Sequence, residues 1–398
     1  MFNLRKVQIF THQIQDTFIT IYDSETFEPE IISSAYLISM QQNGQSLKTI
    51  ENHANTLRFF LNSVLASSSV NSDWRRITPA QLSRYQEMRA YSLSAGSYEQ
   101  MTSILKNFFD WCYDKGWIEN KVTYGWKLSH EKMAEIVAYR ASKKSKDPFN
   151  LYSKYISEDQ FKYLLGFDPS KKSYLQSRNS IVLKLGYYCG LRRSEVTNPL
   201  NFTIQKVRAA IEEADKADKK GFDIAVIGKG RSGGKSRVIK VPMFLREEIE
   251  RFMRSELKRS LPNAKLLINR LVKNDKGGFD ERSLSEGFAS KLFKEFVNNL
   301  LQNGDMELSR VWNETKATRS FHCLRHSYAT NFADEINYGN NNEMTLDLLQ
   351  ERMGHSHSST TKIYLWFSAK NHQDEELAAR YESALKSSSA KREMSEDE

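Results

Sequence analysis

The sequence predicts an α+β chain that is mainly α: a helical N-terminal unit, then a mixed unit with a small antiparallel β-sheet. Apolar residues between Ser46 and Gly116 recur at spacings of three and four, the period of helices with one buried face. FDIAVIGKG and SRVIKVPM instead alternate, are rich in branched residues and flank a Gly-rich turn, which is the pattern of a hairpin. From His322 to Tyr364 the helical spacing returns, now with cations, histidines and a phenol tied to the helix ends.

Residues 1–33 hold two β-like runs, VQIFTH and DTFITIYD, and read as a hairpin or appended arm with a packing role. Ser46 caps a first helix whose face is Leu47, Ile50, Ala54, Leu57, Leu61 and Val64. Thr78-Pro79 opens a second, cap followed by proline, with Leu82, Tyr85 and Met88 as its stripe. A third begins near Ser97, buries Tyr98, Met101, Leu105, Phe108 and Cys112, and stops at Gly116. Further on, RASKKSKDP is basic, polar and closed by Pro148, as a connector is.

Ser157 and Gln160 form a capping box that starts the next helix. SIVLKLGYYCGLRRSEVTNPL then gives a buried helix, a turn at Gly190 and a second helix start carrying Arg192 and Glu195, with Arg193 as a surface cation. EEADKADKK reads as a surface insertion ahead of the hairpin. Amphipathic helices are expected over 244–260 and 283–302, with loop between them that includes NDKGG. Tyr328, Phe332 and Ile336 share one side of a later helix; Leu346, Leu349 and Met353 lead another to a stop at Gly354. DEELAARYESALKS is a short amphipathic helix, and SSSAKREMSEDE a disordered tail.

Composition sets outer limits. A chain of 398 residues can hold two or three domains, and 39% hydrophobic with 12% aromatic residues marks it as globular. Lys plus Arg number 58 against 49 acidic residues, and the net charge of +9 fits a polyanionic partner. Cys112, Cys189 and Cys323 sit far apart in apolar contexts, as reduced core thiols of a cytoplasmic protein do. A membrane span needs about 18 consecutive apolar residues, and no such run occurs. The N-terminus lacks the basic-then-apolar layout of a secretion signal.

The chemistry concentrates in His322, Arg325, His355 and Tyr364. Attack on a phosphodiester builds negative charge on its non-bridging oxygens, and arginine meets that charge with two parallel hydrogen bonds. Tyrosine is a weak nucleophile until it loses its proton. Attack by a side chain in place of water leaves a covalent phosphotyrosine, which keeps the energy of the broken bond for rejoining without ATP. The Gly-rich turn lacks P-loop spacing, although Lys235-Ser236 imitates one. His322, His326, His355 and His357 cluster in sequence without Cys or carboxylate ligands beside them, so a metallohydrolase gains no support and no metal is assigned. On that basis His326 is a packed residue or one that supports the site residues from behind, and His357 a loop residue.

In this order and spacing the residues resemble the tyrosine recombinase, or phage integrase, family. The family pattern H-x-x-R, then G-H, then Tyr stands here as His322–Arg325, Gly354–His355 and Tyr364, and its G-L-R-x-S-E box as Gly190 to Glu195. The resemblance runs from about Ser34 to the tail. It implies a helical core-binding, SAM-like domain over 34–125, a basic linker over 126–150, and a catalytic domain over 151–386 before the tail 387–398. It further implies that Arg192 and Arg325 clamp the scissile phosphate and that Glu195 supports them. His322 and His355 would donate hydrogen bonds and help with protons, and Tyr364 would form a 3′-phosphotyrosine. The family places a catalytic lysine in the hairpin turn, where Lys229 matches best and Lys235 stays in play. Candidate DNA contacts in the helical domain are Lys48, Arg58, Arg84, Arg89 and Lys106.

The implied partners are double-stranded DNA with specific sites, three further copies of the chain in a tetramer, and accessory DNA-bending proteins. The implied task is that of a mobile-element integrase, with no cofactor. A type IB topoisomerase-like enzyme would use the same residues as a monomer, and a non-catalytic DNA-binding protein would share the fold. The helical domain, its linker and a tail helix suited to a neighbouring protomer favour recombination. Six chemically competent active-site positions argue against a non-catalytic protein.

Overall fold

The computed structural model describes residues 1–10, 15–67, 73–122, 132–138, 151–228, 236–255, 265–273, 279–315, 319–337, 342–355 and 357–371. The chain divides into two compact units, Met1–Ser145 and Lys146–Glu398.

The first unit begins with an antiparallel hairpin, β1 (Phe2–Phe10) and β2 (Gln15–Asp23), in which Leu4 pairs with Ile21. Ile19 and Ile21 alternate onto its inner face and join the helical core, while Asn62 donates to and accepts from the backbone of Phe2. Helix α1 (Ile31–Gln42) starts inside the 1–33 segment, capped by the Glu30 carboxylate, which also accepts from the Trp74 indole at 3.1 Å. α2 (Leu47–Ser67) is capped by Ser46, and α3 (Pro79–Ser92) opens with a Thr78–Gln81 capping box. α4 (Ala95–Asp114) starts two residues before Ser97 because Ser94 is its cap. Ile50, Ala54, Leu57 and Leu61 are buried as their spacing predicts; Leu47 and Met88, at the ends of their stripes, are exposed. Part of the expected linker is structured: residues 132–138 are helical, and Ile136 is buried in this same core.

The second unit carries α5 (Glu158–Leu165), α6 (Ser173–Tyr188), α7 (Arg193–Thr197) and α8 (Ile204–Lys216) ahead of the hairpin β3 (Phe222–Ile227) and β4 (Ser236–Val241). α9 (Met243–Ser255), β5 (Ile268–Lys273), β6 (Phe279–Ser283), α10 (Phe288–Asn303) and α11 (Met306–Thr315) follow. α12 (Phe321–Asn337), α13 (Asn342–Met353) and α14 (Ser358–Asn371) complete it.

Three expectations are corrected here. EEADKADKK is not an insertion: Glu212, Glu213, Asp215 and Lys216 lie on the exposed side of α8, whose Val207, Ile211 and Ala214 are buried. The stretch between α9 and α10 is not all loop, since β5 and β6 pair antiparallel across residues 274–278, and Ser283 belongs to β6. α11 has no counterpart in the expectations; it buries Trp312. The expected tail helix and tail, residues 372–398, lie outside the described residues.

The larger core of this unit runs from Ile156 to Leu324, and a second one gathers Ala329, Ala333, Leu349, Met353 and residues 364–367 between α12, α13 and α14. Each buried aliphatic or aromatic side chain contributes about 1.5–3 kcal/mol, so those three helices are held in register at their functional ends. No described helix is long and apolar enough to cross a membrane.

Candidate active site

The site is built in the second unit from helix ends and one strand. After α6 the chain reverses at Gly190, whose φ is +62°. A Cβ there would lie 2.3 Å from Cδ1 of Tyr328, so both the backbone sign and the space require glycine. The turn sets Arg192 as the N-cap of α7. Its backbone N–H donates to Glu195 Oε2 at 2.8 Å and its Nη1 to Oε1 at 2.9 Å.

Glu195 is fully buried and is the hub of three guanidinium groups. Arg237, from β4, donates through Nη2 to Oε2 at 2.8 Å and to the Gly190 carbonyl at 3.1 Å, and through Nη1 to the Arg352 carbonyl. Arg325, from α12, stands 3.9 Å from Oε2 and donates to the carbonyls of Gly190 and Met353. Burial pulls the Glu195 pKa up, but Arg237, the Arg192 N–H and Arg325 outweigh it and hold the carboxyl below its ordinary value. Arg325 is 1% exposed, and burial, then Arg192 and Arg237, bring its guanidinium down to about 9, still charged at neutral pH. Arg192 remains partly exposed and extends Nη2 toward the Met353 and Gly354 carbonyls at 3.3 and 3.4 Å.

The C-terminus of α13 supplies those carbonyls. Gly354 ends the helix with φ +57°, and a Cβ there would sit 2.9 Å from Cδ of Arg237. His355 follows, its Nδ1 3.0 Å from the Thr361 hydroxyl on α14. Tyr364, on the same helix, is 3% exposed, and its ring lies parallel to that of His355 at 6.3 Å. Its hydroxyl is 2.8 Å from Nδ1 of His326 on α12. Burial pushes the phenol up to about 12, against the opposing pull of Arg325 and Arg192.

The histidines move the other way. Burial, then the neighbouring cations led by Arg325, push His355 down to about 3. Burial followed by His322, Lys154 and Arg325 does the same to His326, to about 3. His322 is exposed as a residue, yet loss of water on its inner side and the charges of Arg325 and Arg192 bring it down to about 4. Its ring meets that of His326 edge-on at 4.7 Å.

Of the sequence-derived candidates, Arg192, Glu195, His322, Arg325, His355 and Tyr364 converge here. Lys229 and Lys235 lie outside the described residues. Asn201 ties the end of β3 to the site: its Nδ2 donates to the carbonyls of Glu195 and Ile227, and its Oδ1 accepts from Ile227 N. Among the described residues no group of three or more His, Cys, Asp or Glu is placed to hold a metal ion.

Arg237 and Asn201 have no counterpart among the expectations, and His326, expected as packing or support, touches the Tyr364 hydroxyl itself. For Arg237 and Asn201 nothing local marks them. For His326 the signal is its place directly after Arg325.

A model of the phage integrase family matches residues 154–371, and one of the phage integrase N-terminal SAM-like domain matches 34–116. Tyrosine recombinase XerA of Thermococcus kodakarensis is 25% identical over 211 residues, 53% of this chain and 57% of that protein. XerA of Pyrococcus furiosus is 27% identical over 218 residues, 55% of this chain and 59% of that protein. The match thus spans less than two thirds of these relatives' length.

Among solved structures, XerH site-specific recombinase bound to palindromic difH substrate in a post-cleavage complex aligns with TM-score 0.51 and 17% identity, over 86% of this chain and 83% of that one. The Tn1549 transposon integrase in complex with circular intermediate DNA aligns with TM-score 0.50 and 16% identity, over 86% and 98%. At these identities the likeness is one of fold. With the integrase model covering more than half of its residues, the chain belongs to the phage integrase family.

Proposed function

We propose that this protein is a site-specific DNA recombinase, the integrase of a mobile element, which cuts and rejoins duplex DNA through Tyr364 without ATP. The observation that carries this is the convergence of Arg192 and Arg325 on one buried carboxylate, Glu195, next to a buried tyrosine hydroxyl. Arg192 and Arg325 bind the non-bridging oxygens of the scissile phosphate, where donors already in place stabilise the charge that develops in the transition state. Glu195 and Arg237 hold them in position. His322 and His355, neutral in the free protein, are hydrogen-bond donors to the same phosphate. Tyr364 attacks phosphorus and forms a 3′-phosphotyrosine while the 5′ oxygen leaves. With a phenol near 12, ionising Tyr364 at pH 7 without help would cost roughly 7 kcal/mol.

The leaving oxygen needs a proton, and a lysine of the β3–β4 turn is suited to supply it. Lys229, between Gly228 and Gly230 at the end of the first strand, is assigned this role ahead of Lys235. The residues 34–125 form the core-binding domain and 151–386 the catalytic domain, joined by the basic segment between them. Double-stranded DNA is the partner, as in the XerH and Tn1549 complexes, and four protomers exchange strands between two duplexes, with accessory DNA-bending proteins as further partners.

The test is capture from a randomised library of nicked suicide duplexes, followed by sequencing of the crosslinked DNA. The wild-type chain is expected to leave a covalent adduct on a recurring site. Tyr364→Phe is expected to bind that site and leave none, because only the phenol oxygen is lost. Adduct formation by Tyr364→Phe would remove Tyr364 as the nucleophile.

A further inference from the structure

We propose that His326, the residue immediately after Arg325, takes the proton from Tyr364 as the phenol attacks the phosphate. The proposal rests on the recombinase function above and names the one group that takes the phenol proton.

Geometry selects His326 over the other two histidines. A general base must stand within about 2.6–3.2 Å of the atom that it deprotonates, and His326 Nδ1 is 2.8 Å from the Tyr364 hydroxyl. The Nδ1 of His355 is engaged by Thr361 at 3.0 Å, and its ring stacks on Tyr364 at 6.3 Å. His322 meets the ring of His326, at 4.7 Å, not the phenol. His326 and Tyr364 are presented by two helices, α12 and α14, packed on one core, so the pair is in place before DNA arrives.

The surroundings fix its state. Burial comes first, and His322 and Arg325 on its own helix, Lys154 ahead of α5 and His355 after α13 add to it against protonation of the ring. A neutral imidazole carrying its proton on Nε2 has a lone pair free at Nδ1, and the phenol O–H donates to it. A phosphodiester in the site brings a negative charge beside Arg325 and Lys154. Substrate thus offsets the repulsion from those two charges, while burial still acts, and the base gains strength when the scissile phosphate is bound.

The step balances. The Tyr364 Oη–P bond forms and the phenol proton passes to Nδ1 of His326, making it an imidazolium. The bond from phosphorus to the 5′ oxygen breaks, and that oxygen takes a proton from a lysine ammonium. Resealing runs the same transfers backward: the incoming 5′ hydroxyl returns its proton to the lysine, and His326 returns its own to the departing phenolate.

The experiment measures single-turnover cleavage on the nicked duplexes that the wild-type chain captures. His326→Leu is expected to slow cleavage by about 100- to 10,000-fold with DNA binding retained. A ring-fluorinated tyrosine at position 364, whose more acidic phenol ionises without a base, should bring His326→Leu to within about tenfold of the wild-type background carrying the same residue. A residue that merely packs would show no such rescue. His326→Asn, which keeps an acceptor for the hydroxyl but cannot take its proton, should stay slow. Rescue of His326→Leu together with a slow His326→Asn supports the proposal. Failure of the rescue with DNA binding intact, or full-rate cleavage by His326→Asn, overturns it. If the wild-type chain captures no DNA, the recombinase function itself falls and the proposal with it, and that outcome is read before any His326 variant is made.

Discussion

At the scale of single residues, the site is a set of charges held in unusual states by their neighbours. Glu195 carries no surface exposure and balances Arg192, Arg237 and Arg325. Glu195→Gln leaves those cations uncompensated in a dry setting and is expected to cost about 3–5 kcal/mol in chemical denaturation. Arg325→Lys keeps a charge but loses the paired donors. Cleavage should therefore fall far more than DNA affinity; equal losses in both would mean that Arg325 only anchors the backbone.

The histidines set a pH dependence. His326 and His355 have folded pKa values depressed from 6.5 to about 3, so below 6.5 the unfolded chain binds protons that the folded chain refuses. Their contribution to stability is whole above 6.5 and is lost as pH falls toward 3. Glu195 is depressed from 4.5 and adds a loss in the same direction below that value. Thermal melts are expected to show falling stability from pH 6.5 downward, with a shallower slope in His326→Leu; a flat profile between pH 7 and 5 would contradict the buried neutral rings.

At the scale of elements, the site depends on how helices stop. Gly190 and Gly354 end α6 and α13 with left-handed backbone, and both ends offer carbonyls to the arginines. Gly190→Ala meets two penalties, a positive φ and a Cβ driven into the Tyr328 ring. A loss of at least about 1–3 kcal/mol is expected by chemical denaturation, with cleavage reduced further because the turn aims Arg192. The hairpin acts in the same way from the other side: β4 delivers Arg237 to Glu195, and Asn201 fastens the end of β3 to α7. β3 and β4 are therefore anchored to the site at their neighbouring ends, Ile227 and Arg237.

At the scale of the whole molecule, a net charge of +9 is spread over a helical unit and a mixed unit, each with its own core. Binding of duplex DNA by such a chain is driven largely by release of counterions. Affinity is expected to fall about 10³- to 10⁵-fold between about 50 and 200 mM salt if roughly six to ten phosphates are contacted. Fluorescence anisotropy across that range checks it, and affinity independent of salt would argue against backbone contact as the main source of binding.

The mainly helical α+β class, the β3–β4 hairpin, most helix starts and the two glycine stops are legible in the residue pattern, which also singles out the six candidates that converge. These are local matters: a cap and its partner lie three residues apart, and a helical or strand face repeats every few positions. Short polar elements escaped the same logic. β6 reads FDERS, without the alternation that marks a strand, and the acidic end of α8 hides its buried face. Tertiary structure alone decided that Glu195 joins three arginines, that Arg237 reaches it across 42 positions, and that His326 meets the Tyr364 hydroxyl across 38. Those contacts arise where packed helices and a strand bring distant side chains together. Burial there raises the phenol and lowers the imidazoles, while the gathered arginines lower the carboxylate against burial, and no spacing in a sequence encodes these shifts.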